Sequence, residues 1–433
     1  MADSPGAAGD AVTADVLVVG GGAAGLWCAE GLARGSGLRV LVVEKTPRTG
    51  TKILASGGTR CNVTTTLGPS EAAALFGPKG ARFLRHGFQT LTPLDVRERF
   101  ESWGVPLDEA PLQKVFPASG NARDVRDALL GATQGAGAEL VLDAPVEFVR
   151  RENGTWVIGT ASGARYAAPR VVLAAGGLSY PKTGTTGDGY AWLRELGLGI
   201  VEPVPALVPL RSPAEWVHSL TGIAWQGGEV TLVDGEGKKV AQRSRPILFT
   251  HKGVSGPGAM DVSHHVSAAR RNGMTGPARF RLRFDAFPAL SREELRAAFV
   301  GAAGSPGNPK VQRVLGTMAT GPMPRRLFDA FAEEAKVPTD VVVGGLSKSL
   351  RHALVETLKG LDVPIDGTLG WDQAEVTAGG LALKHVNPRT MAVNGHDGLF
   401  VIGELLDVNG PIGGLSFQAA FATAELAALA IRG

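Results

Sequence analysis

Cysteine is nearly absent: the chain of 433 residues has two, Cys28 and Cys61. That excludes a disulfide framework and fits a reducing compartment, so a cytoplasmic protein is expected. Aromatic residues make up 6%, and neither sign of charge dominates, with 44 Lys and Arg against 41 Asp and Glu. A net charge of +3 is too small to argue by itself for a nucleic-acid partner. No uncharged apolar run reaches the length needed to span a bilayer, and the nearest, at the C-terminal end, is interrupted by Glu425. Residues 1–14 are small and polar without an apolar segment, which reads as a disordered extension and not as a secretory signal. There is no internal repeat and no metal-ligand spacing. A soluble protein with no metal and no membrane partner is expected, of unknown oligomeric state.

Glycine, by contrast, is abundant, at 60 residues. Gly20, Gly22 and Gly25 carry the G-x-G-x-x-G spacing directly after the apolar, β-branched run at 16–19. That order suits a buried parallel strand, a tight turn, close approach of backbone to a pyrophosphate, and close packing of the following helix. The helix, at about 23–34, would aim its first N–H groups at the phosphate, Ala23 and Ala24 among them. A second strand at 40–43 ends in Glu44, nineteen residues after Gly25. There a carboxylate accepts hydrogen bonds from a ribose 2′-hydroxyl and repels a 2′-phosphate. This is a dinucleotide site.

Further along, residues 45–64 form a glycine-rich polar loop that would lie over a ligand. Residues 70–135 read as mostly helical, with helices at 91–103 and at 121–130, the latter N-capped by Asn121. The segments 141–151, 155–160 and 164–166 suggest a β-meander, turned in its middle by Glu152-Asn153-Gly154. Another buried strand at 170–173 ends in glycines. Proline clusters at 201–209 and marks a domain boundary. Strand-like runs, such as 229–233 and 279–284, then suggest a small barrel or sandwich, with His264 and His265 on opposite faces of a strand. From 291 to about 360 the pattern is helical, opened by a capping box of Ser291 and Glu294. A last buried strand at 398–404 leads through Gly413 and Gly414 into a final helix. The expected domains are therefore 15–200 (first part of the dinucleotide domain), 201–290 (inserted β-barrel), 291–362 (helical), 363–378 (return to the barrel) and 379–433 (second part).

That final strand, loop and helix argue for FAD over NAD. Folded back on the first unit, Glu404 would reach a ribityl hydroxyl. The helix N-terminus would then face the flavin edge that becomes negative on reduction. Five stretches, at 20–25, 56–64, 175–190, 249–257 and 403–414, make the resemblance specific. In them the chain resembles the aminoacetone-oxidase-like, or bile-acid-reductase and ribosomal-RNA-dihydrouridine-synthase-like, family of FAD-dependent oxidoreductases. Thr59 stands where that family usually has Gly, and Thr65-Thr66 where an Asn is common. The resemblance implies an α/β fold: a two-part Rossmann-like FAD-binding domain with an inserted β-barrel and a small helical subdomain. It also implies FAD contacts from Gly20, Gly22, Ala23, Ala24, Gly25, Glu44, Lys45, Lys52, Gly57, Gly58, Arg60, Asn62, Val146, Ala175, Gly176, Gly403, Glu404, Asn409, Gly413, Gly414 and Leu415. Thr183, Thr185, Thr186 and Asp188 are exposed polar groups expected beside a strand end, where ligands bind in α/β sheets.

Two side chains are candidates for chemistry. Cys61, beside Arg60, is either a lowered-pKa thiol that donates a proton or a small residue packed on the flavin. His251 suits proton delivery to a carbon that has received hydride, or is bonded to loop backbone. Both are expected to face one cavity, and Lys252 could bind an anion. Three functions compete: an NAD(P)H-driven reductase of a C=C conjugated to a carbonyl, an amine or aminoacetone-type oxidase using O2, and a non-catalytic redox-sensing RNA-binding flavoprotein. No second fingerprint follows a strand, so NAD(P)H would visit transiently. The substrate is a uracil in ribosomal RNA or a small enone. Residues 201–283 carry eleven Lys and Arg against six Asp and Glu, and Arg279, Arg281 and Arg283 alternate on one strand face as a possible phosphate track.

Overall fold

The computed structural model describes residues 11–271, 280–319 and 322–433. They divide into two compact units, one of Met1–Pro203 with Glu375–Gly433, the other Val204–Ala374.

The first unit opens with β1 (Val12–Thr13), which pairs in parallel with β10 (Arg165–Ala168). The disordered extension expected over 1–14 is thus corrected at its end: β1 is ordered by backbone bonding, and Ala14 N donates to Ala167 O at 3.0 Å. Residues 1–10 lie outside the described residues. Next come β2 (Val16–Val19), α1 (Ala23–Ala33) and β3 (Val40–Val43), as the apolar runs predict. All eight strand residues are essentially inaccessible, each burial worth about 1.5–3 kcal/mol for a Val or Leu side chain. Short α2 (Thr51–Ala55) and β4 (Thr64–Thr65) bracket the glycine-rich loop. Helices α3 (Pro69–Ala74), α4 (Gly77–Thr90) and α5 (Pro93–Ser102) follow.

The mostly helical reading of 70–135 fails over a hairpin, β5 (Leu107–Ala110) with β6 (Lys114–Pro117). Its turn holds Leu112 and Gln113 at φ 66° and 54°, a left-handed turn without the glycine that would have marked it. Then come α6 (Ala122–Gly135), capped by Asn121 Oδ1 accepting from Arg123 N, and β7 (Glu139–Val141). The meander is β8 (Val146–Glu152), β9 (Thr155–Thr160) and β10, and its turn has Asn153 and Gly154 both at positive φ. Val141, read as its first residue, instead pairs in parallel with Val43. After β11 (Arg170–Leu173) and α7 (Asp188–Glu195), β12 (Ile200–Ala206) carries the chain out of the unit.

The second unit, described by itself, has β13 (Leu210–Arg211), α8 (Glu215–Ser219), β14 (Ala224–Trp225), β15 (Glu229–Asp234), β16 (Lys239–Arg243), β17 (Ile247–Thr250), β18 (Gly253–Ser255), α9 (Pro257–Met260) and α10 (Ser263–Arg271). His264 and His265 therefore lie on a helix, not a strand. Ser263, Val266 and Ser267 are its buried face at i, i+3 and i+4, and the two imidazole rings sit 4.0 Å apart. The chain continues through β19 (Phe280–Asp285), α11 (Arg292–Ala303), α12 (Val311–Met318), α13 (Arg325–Glu334), α14 (Lys348–Leu358), β20 (Leu361–Ile365) and β21 (Gly367–Thr368). The strands form two antiparallel sheets, ordered β14-β17-β18-β13-β21 and β16-β15-β19-β20. Ser291 and Glu294 form the predicted capping box on α11.

The first unit is completed by β22 (Val376–Leu381), β23 (Leu399–Val401) and α15 (Leu415–Arg432). Its central sheet is β23-β11-β2-β3-β7, every pair parallel. α1 is buried almost all round, and its one charged residue, Glu30, is buried with it beside Arg34 at 3.4 Å. It packs on α15 through Trp27 stacked on Phe421 at 4.5 Å. Glu425 on α15 is kept in this apolar seam by Trp27 Nε1 (2.8 Å) and Arg99 Nη1 (2.9 Å). Among the described residues, no helix is long and apolar enough to cross a membrane.

Candidate functional site

The site is built where β2 turns into α1. Gly20 holds φ 107°, and a Cβ there would lie 2.5 Å from Ala174 O on the neighbouring strand end. A Cβ on Gly25 would meet Gly20 O at 1.9 Å, so only glycine lets α1 start this close to the strand. Gly22 differs, because nothing stands within 4 Å of its missing Cβ. It is the N-cap of α1 and supplies no side-chain cap, so the first N–H groups of the helix, at Ala23 and Ala24, take no side-chain acceptor from it. Open space before an uncapped helix end is what a pyrophosphate requires.

Glu44, at the end of β3, is already oriented. Its Oε2 accepts from Gly21 N at 2.7 Å, and its Oε1 accepts from Thr46 N and Thr46 Oγ1. One acceptor site remains, on Oε2, for a ribose hydroxyl. Lys45 turns aside to Asp188 at 2.6 Å and to Thr186. Of the four groups expected to be exposed only Thr186 is; Thr183 and Asp188 are half-buried, and Thr185 is buried and shares a hydrogen bond with Thr183. Ala144 N donates to Glu44 O, which brings Val146, two residues on, alongside this end of the sheet.

Beyond the start of α1 lies an ion pair that joins three distant segments. Gly403 would press a Cβ on Ala24 of α1 at 2.9 Å, so Glu404 follows directly beside the start of that helix. Lys52 Nζ donates to Glu404 Oε2 at 2.6 Å and to the buried Ser179 Oγ. Ser179 Oγ and Thr377 N donate to Glu404 Oε1 at 3.0 and 2.7 Å. Ala175 and Gly176 lead into this cluster, Gly176 at φ 75°. Glu404, expected only as a ribityl acceptor, is therefore also the counter-charge of Lys52. Ser179 lies within the family-like stretch at 175–190, whereas Thr377 reaches Glu404 through its backbone N–H, which leaves no signal in a side-chain pattern.

The loop at 56–64 is more constrained than its composition suggests. Gly57 (φ 55°) and Gly58 (φ 65°) turn it, and a Cβ on Gly57 would meet Asn62 N at 2.9 Å. Asn62 Oδ1 accepts from Val115 N of β6, so this side chain pins the loop to the hairpin. Arg60 is exposed, its guanidinium 4.4 Å from the Phe116 ring centroid. Cys61 is fully buried, and burial pushes its thiol up to about 12, against a smaller lowering by Ser56. The lowered-pKa thiol is corrected: desolvation outweighs any help from Arg60, and no surface of Cys61 is open to a ligand. Across the loop, a Cβ on Gly414 (φ 79°) would lie 2.0 Å from Thr64 O, so the uncapped start of α15 is pressed on β4. Gln418 fixes that contact, accepting from Thr64 Oγ1 and donating to Leu91 O. Gly413 and Leu415 flank Gly414 in buried positions, and Asn409 is half-buried in the preceding loop.

In the second unit, His251 and Lys252 are exposed on the turn between β17 and β18. Arg281 and Arg283 share a face of β19, separated by buried Leu282, as the alternation predicts. They are not a free phosphate track. Asp362 on β20 binds Arg283 through both oxygens at 2.9 and 3.1 Å and stands 3.7 Å from Arg281. Arg279 lies outside the described residues.

An open glycine at an uncapped helix start, an oriented Glu44 and a second uncapped helix at Gly414 fit FAD. The family described as HI0933-like protein Rossmann domain matches residues 14–430. The chain belongs to that family. This chain is an FAD-dependent oxidoreductase. The ribosomal RNA dihydrouridine synthase of Haemophilus influenzae is 30% identical over 422 residues, 96% of this chain and 98% of that protein. The 3-dehydro-bile acid delta(4,6)-reductase of Clostridium scindens is 29% identical over 414 residues, 95% and 97% of the two chains. Among solved structures, the 3-ketosteroid-delta4-(5alpha)-dehydrogenase of Rhodococcus jostii RHA1 aligns with a TM-score of 0.52 at 17% identity, covering 98% of this chain and 97% of that one. At that identity the likeness speaks to the fold alone.

Proposed function

We propose that the enzyme reduces a C=C conjugated to a carbonyl, with NADH or NADPH as transient electron donor, and that the substrate is a uracil in ribosomal RNA. The observation that supports this most is a shared chemistry between two full-length relatives with unlike substrates. Dihydrouridine is uridine with its C5=C6 bond saturated, and that bond is conjugated to the C4 carbonyl. A Δ4 bond in a 3-oxo steroid has the same electronic arrangement. In both, the β carbon accepts hydride and the α carbon then takes a proton, so one oxidised nicotinamide and one saturated bond result.

When bound, FAD supplies the two-electron relay between nicotinamide and substrate. The start of α1 and Glu44 would hold its pyrophosphate and ribose. The start of α15, behind Gly414, would face the flavin edge where reduction concentrates negative charge, and its N–H groups and dipole favour that charge. Lys52, held by Glu404 and Ser179, would offer an oriented N–H donor to the same cofactor. Cys61 does not supply the proton, since its thiol is both inaccessible and strongly neutral. We assign that role to His251, whose imidazole is exposed on its turn.

A deletion strain of the source organism tests the substrate. Loss of a dihydrouridine from ribosomal RNA, restored by the wild-type gene and not by Gly22→Leu, is the expected result. If ribosomal RNA is unchanged by deletion, the RNA assignment fails and a small enone takes its place.

A further inference from the structure

The second unit carries a groove between α11 and α14 of about 390 Å³, which none of the site residues above line. Its walls are Arg296, Ala297 and Val300 from α11, and Lys348, Arg351 and His352 from α14. The spacing is helical on both sides: Arg296 and Val300 are four apart, and Lys348, Arg351 and His352 fall at i, i+3 and i+4, so each set shares one face. Four of the six are basic groups, and the other two make an apolar floor on which Val300 is 54% exposed.

The two sides differ in how their charge is spent. Arg296 is held by Glu293 at 2.9 Å and Glu356 at 2.8 Å, and Glu356 also takes Arg292 at 2.7 Å. Arg296 also donates to His352 Nδ1 at 3.1 Å. Nδ1 also lies 3.8 Å from Glu356 Oε1, so this edge of the ring is engaged and Nε2 is the edge left to a ligand. Lys348 and Arg351, by contrast, have no carboxylate within 4 Å among the described residues. Both stand in the first turn of α14, which contains no acidic residue, where the helix dipole disfavours cations. Their charge is therefore open to a ligand of negative charge.

We infer that this groove binds a single-stranded segment of the RNA substrate, an inference that rests on the RNA reading above. The phosphates would run along Lys348 and Arg351, and one base would lie on Ala297 and Val300 with His352 Nε2 as its polar partner. Cations beside an exposed apolar floor suit unpaired RNA, in which backbone charge and base faces are both accessible. The surface would add affinity and position the RNA, and would take no part in the flavin chemistry.

The test uses the FAD-loaded enzyme, a fluorescent single-stranded RNA cut from the modified region, and anisotropy titrations over a range of salt. Lys348→Glu with Arg351→Glu is compared with Arg82→Glu with Arg85→Glu, the same charge change on exposed residues of α4. Each phosphate contact on a single strand contributes about 0.7 to the slope of log affinity against log salt, so losing two should lower the slope by about 1.4. The α14 variant should show that loss and fail to restore dihydrouridine in the deletion strain, while its flavin absorbance and the bleaching of its flavin by NADPH stay at wild-type values. The α4 variant should change the slope little. If deletion removes dihydrouridine but the α14 variant binds and modifies RNA normally, the groove assignment falls and the RNA function stands. If deletion removes no dihydrouridine, both are overturned.

Discussion

Gly22 and Gly25 stand three residues apart in one motif, yet their substitution should fail in different ways. At Gly25 a Cβ would lie 1.9 Å from Gly20 O, so Gly25→Ala must drive α1 off β2 by about 1 Å. Overpacking of that kind costs about 1–3 kcal/mol, and the flavin-free protein should melt several degrees lower, at roughly 2–4 °C per kcal/mol. At Gly22 no atom lies within 4 Å of the Cβ position, and the backbone (φ −80°, ψ −170°) suits any residue. Gly22→Leu should therefore cost the flavin-free protein under about 1 kcal/mol, the loss expected at an N-cap. Its defect appears only with FAD. At a hundred times its dissociation constant FAD stabilises the wild type by about 2.7 kcal/mol, which is about 5–10 °C in melting temperature. Gly22→Leu should show none of that gain, because its side chain fills the space before the helix. Thermal melts of flavin-stripped protein, with and without FAD, separate the two. A Gly22→Leu protein that gains as much from FAD as wild type would refute the placement of the pyrophosphate.

Burial raises the Cys61 thiol to about 12 from 9.0, so the folded state keeps a proton that the unfolded state releases above about pH 9. That stabilisation is complete below pH 9 and declines as pH rises from 9 toward 12, by up to about 1.4 kcal/mol per pH unit. Denaturant titrations should show Cys61→Ala with a shallower alkaline decline, and its turnover should survive; loss of turnover with intact flavin would restore a chemical role. Lys52→Met should leave Glu404 without its counter-charge and weaken FAD binding about tenfold or more, read by flavin fluorescence; unchanged affinity and potential would make Lys52 a bystander. His251→Asn should slow the reduction of substrate without slowing bleaching of the flavin by NADPH, and an unaffected turnover would remove His251 as the acid.

What could be read from the chain was local. The run at 16–19, its glycines and Glu44 were legible because each residue acts within a βαβ unit of about thirty residues, where spacing dictates geometry. The capping box of Ser291 and Glu294 and the Asn153-Gly154 turn were legible for the same reason. Errors arose where a distant partner decides the outcome. Cys61 lies beside Arg60 in sequence, yet its pKa follows from burial. Arg281 and Arg283 alternate as a track would, yet Asp362, about eighty residues away, binds both. The Lys52–Glu404 pair joins residues 352 apart, and its third donor is a backbone N–H. His264 and His265 were misassigned because a short run bearing two histidines has no clear period until the buried Ser263, Val266 and Ser267 are known. The hairpin at 107–117 was hidden by a left-handed turn made without glycine.

The central claim is the direction of electron flow, from nicotinamide through the flavin to a conjugated C=C. It is tested most directly by mixing oxidised enzyme with NADPH or NADH without oxygen, then adding acceptors one at a time and following the visible flavin absorbance. Rapid bleaching by a nicotinamide, and recovery on adding unmodified ribosomal RNA with formation of one dihydrouridine per flavin reoxidised, is the result expected. Bleaching by an amine and not by nicotinamides, with recovery only when oxygen is admitted, would contradict it and make the enzyme an oxidase.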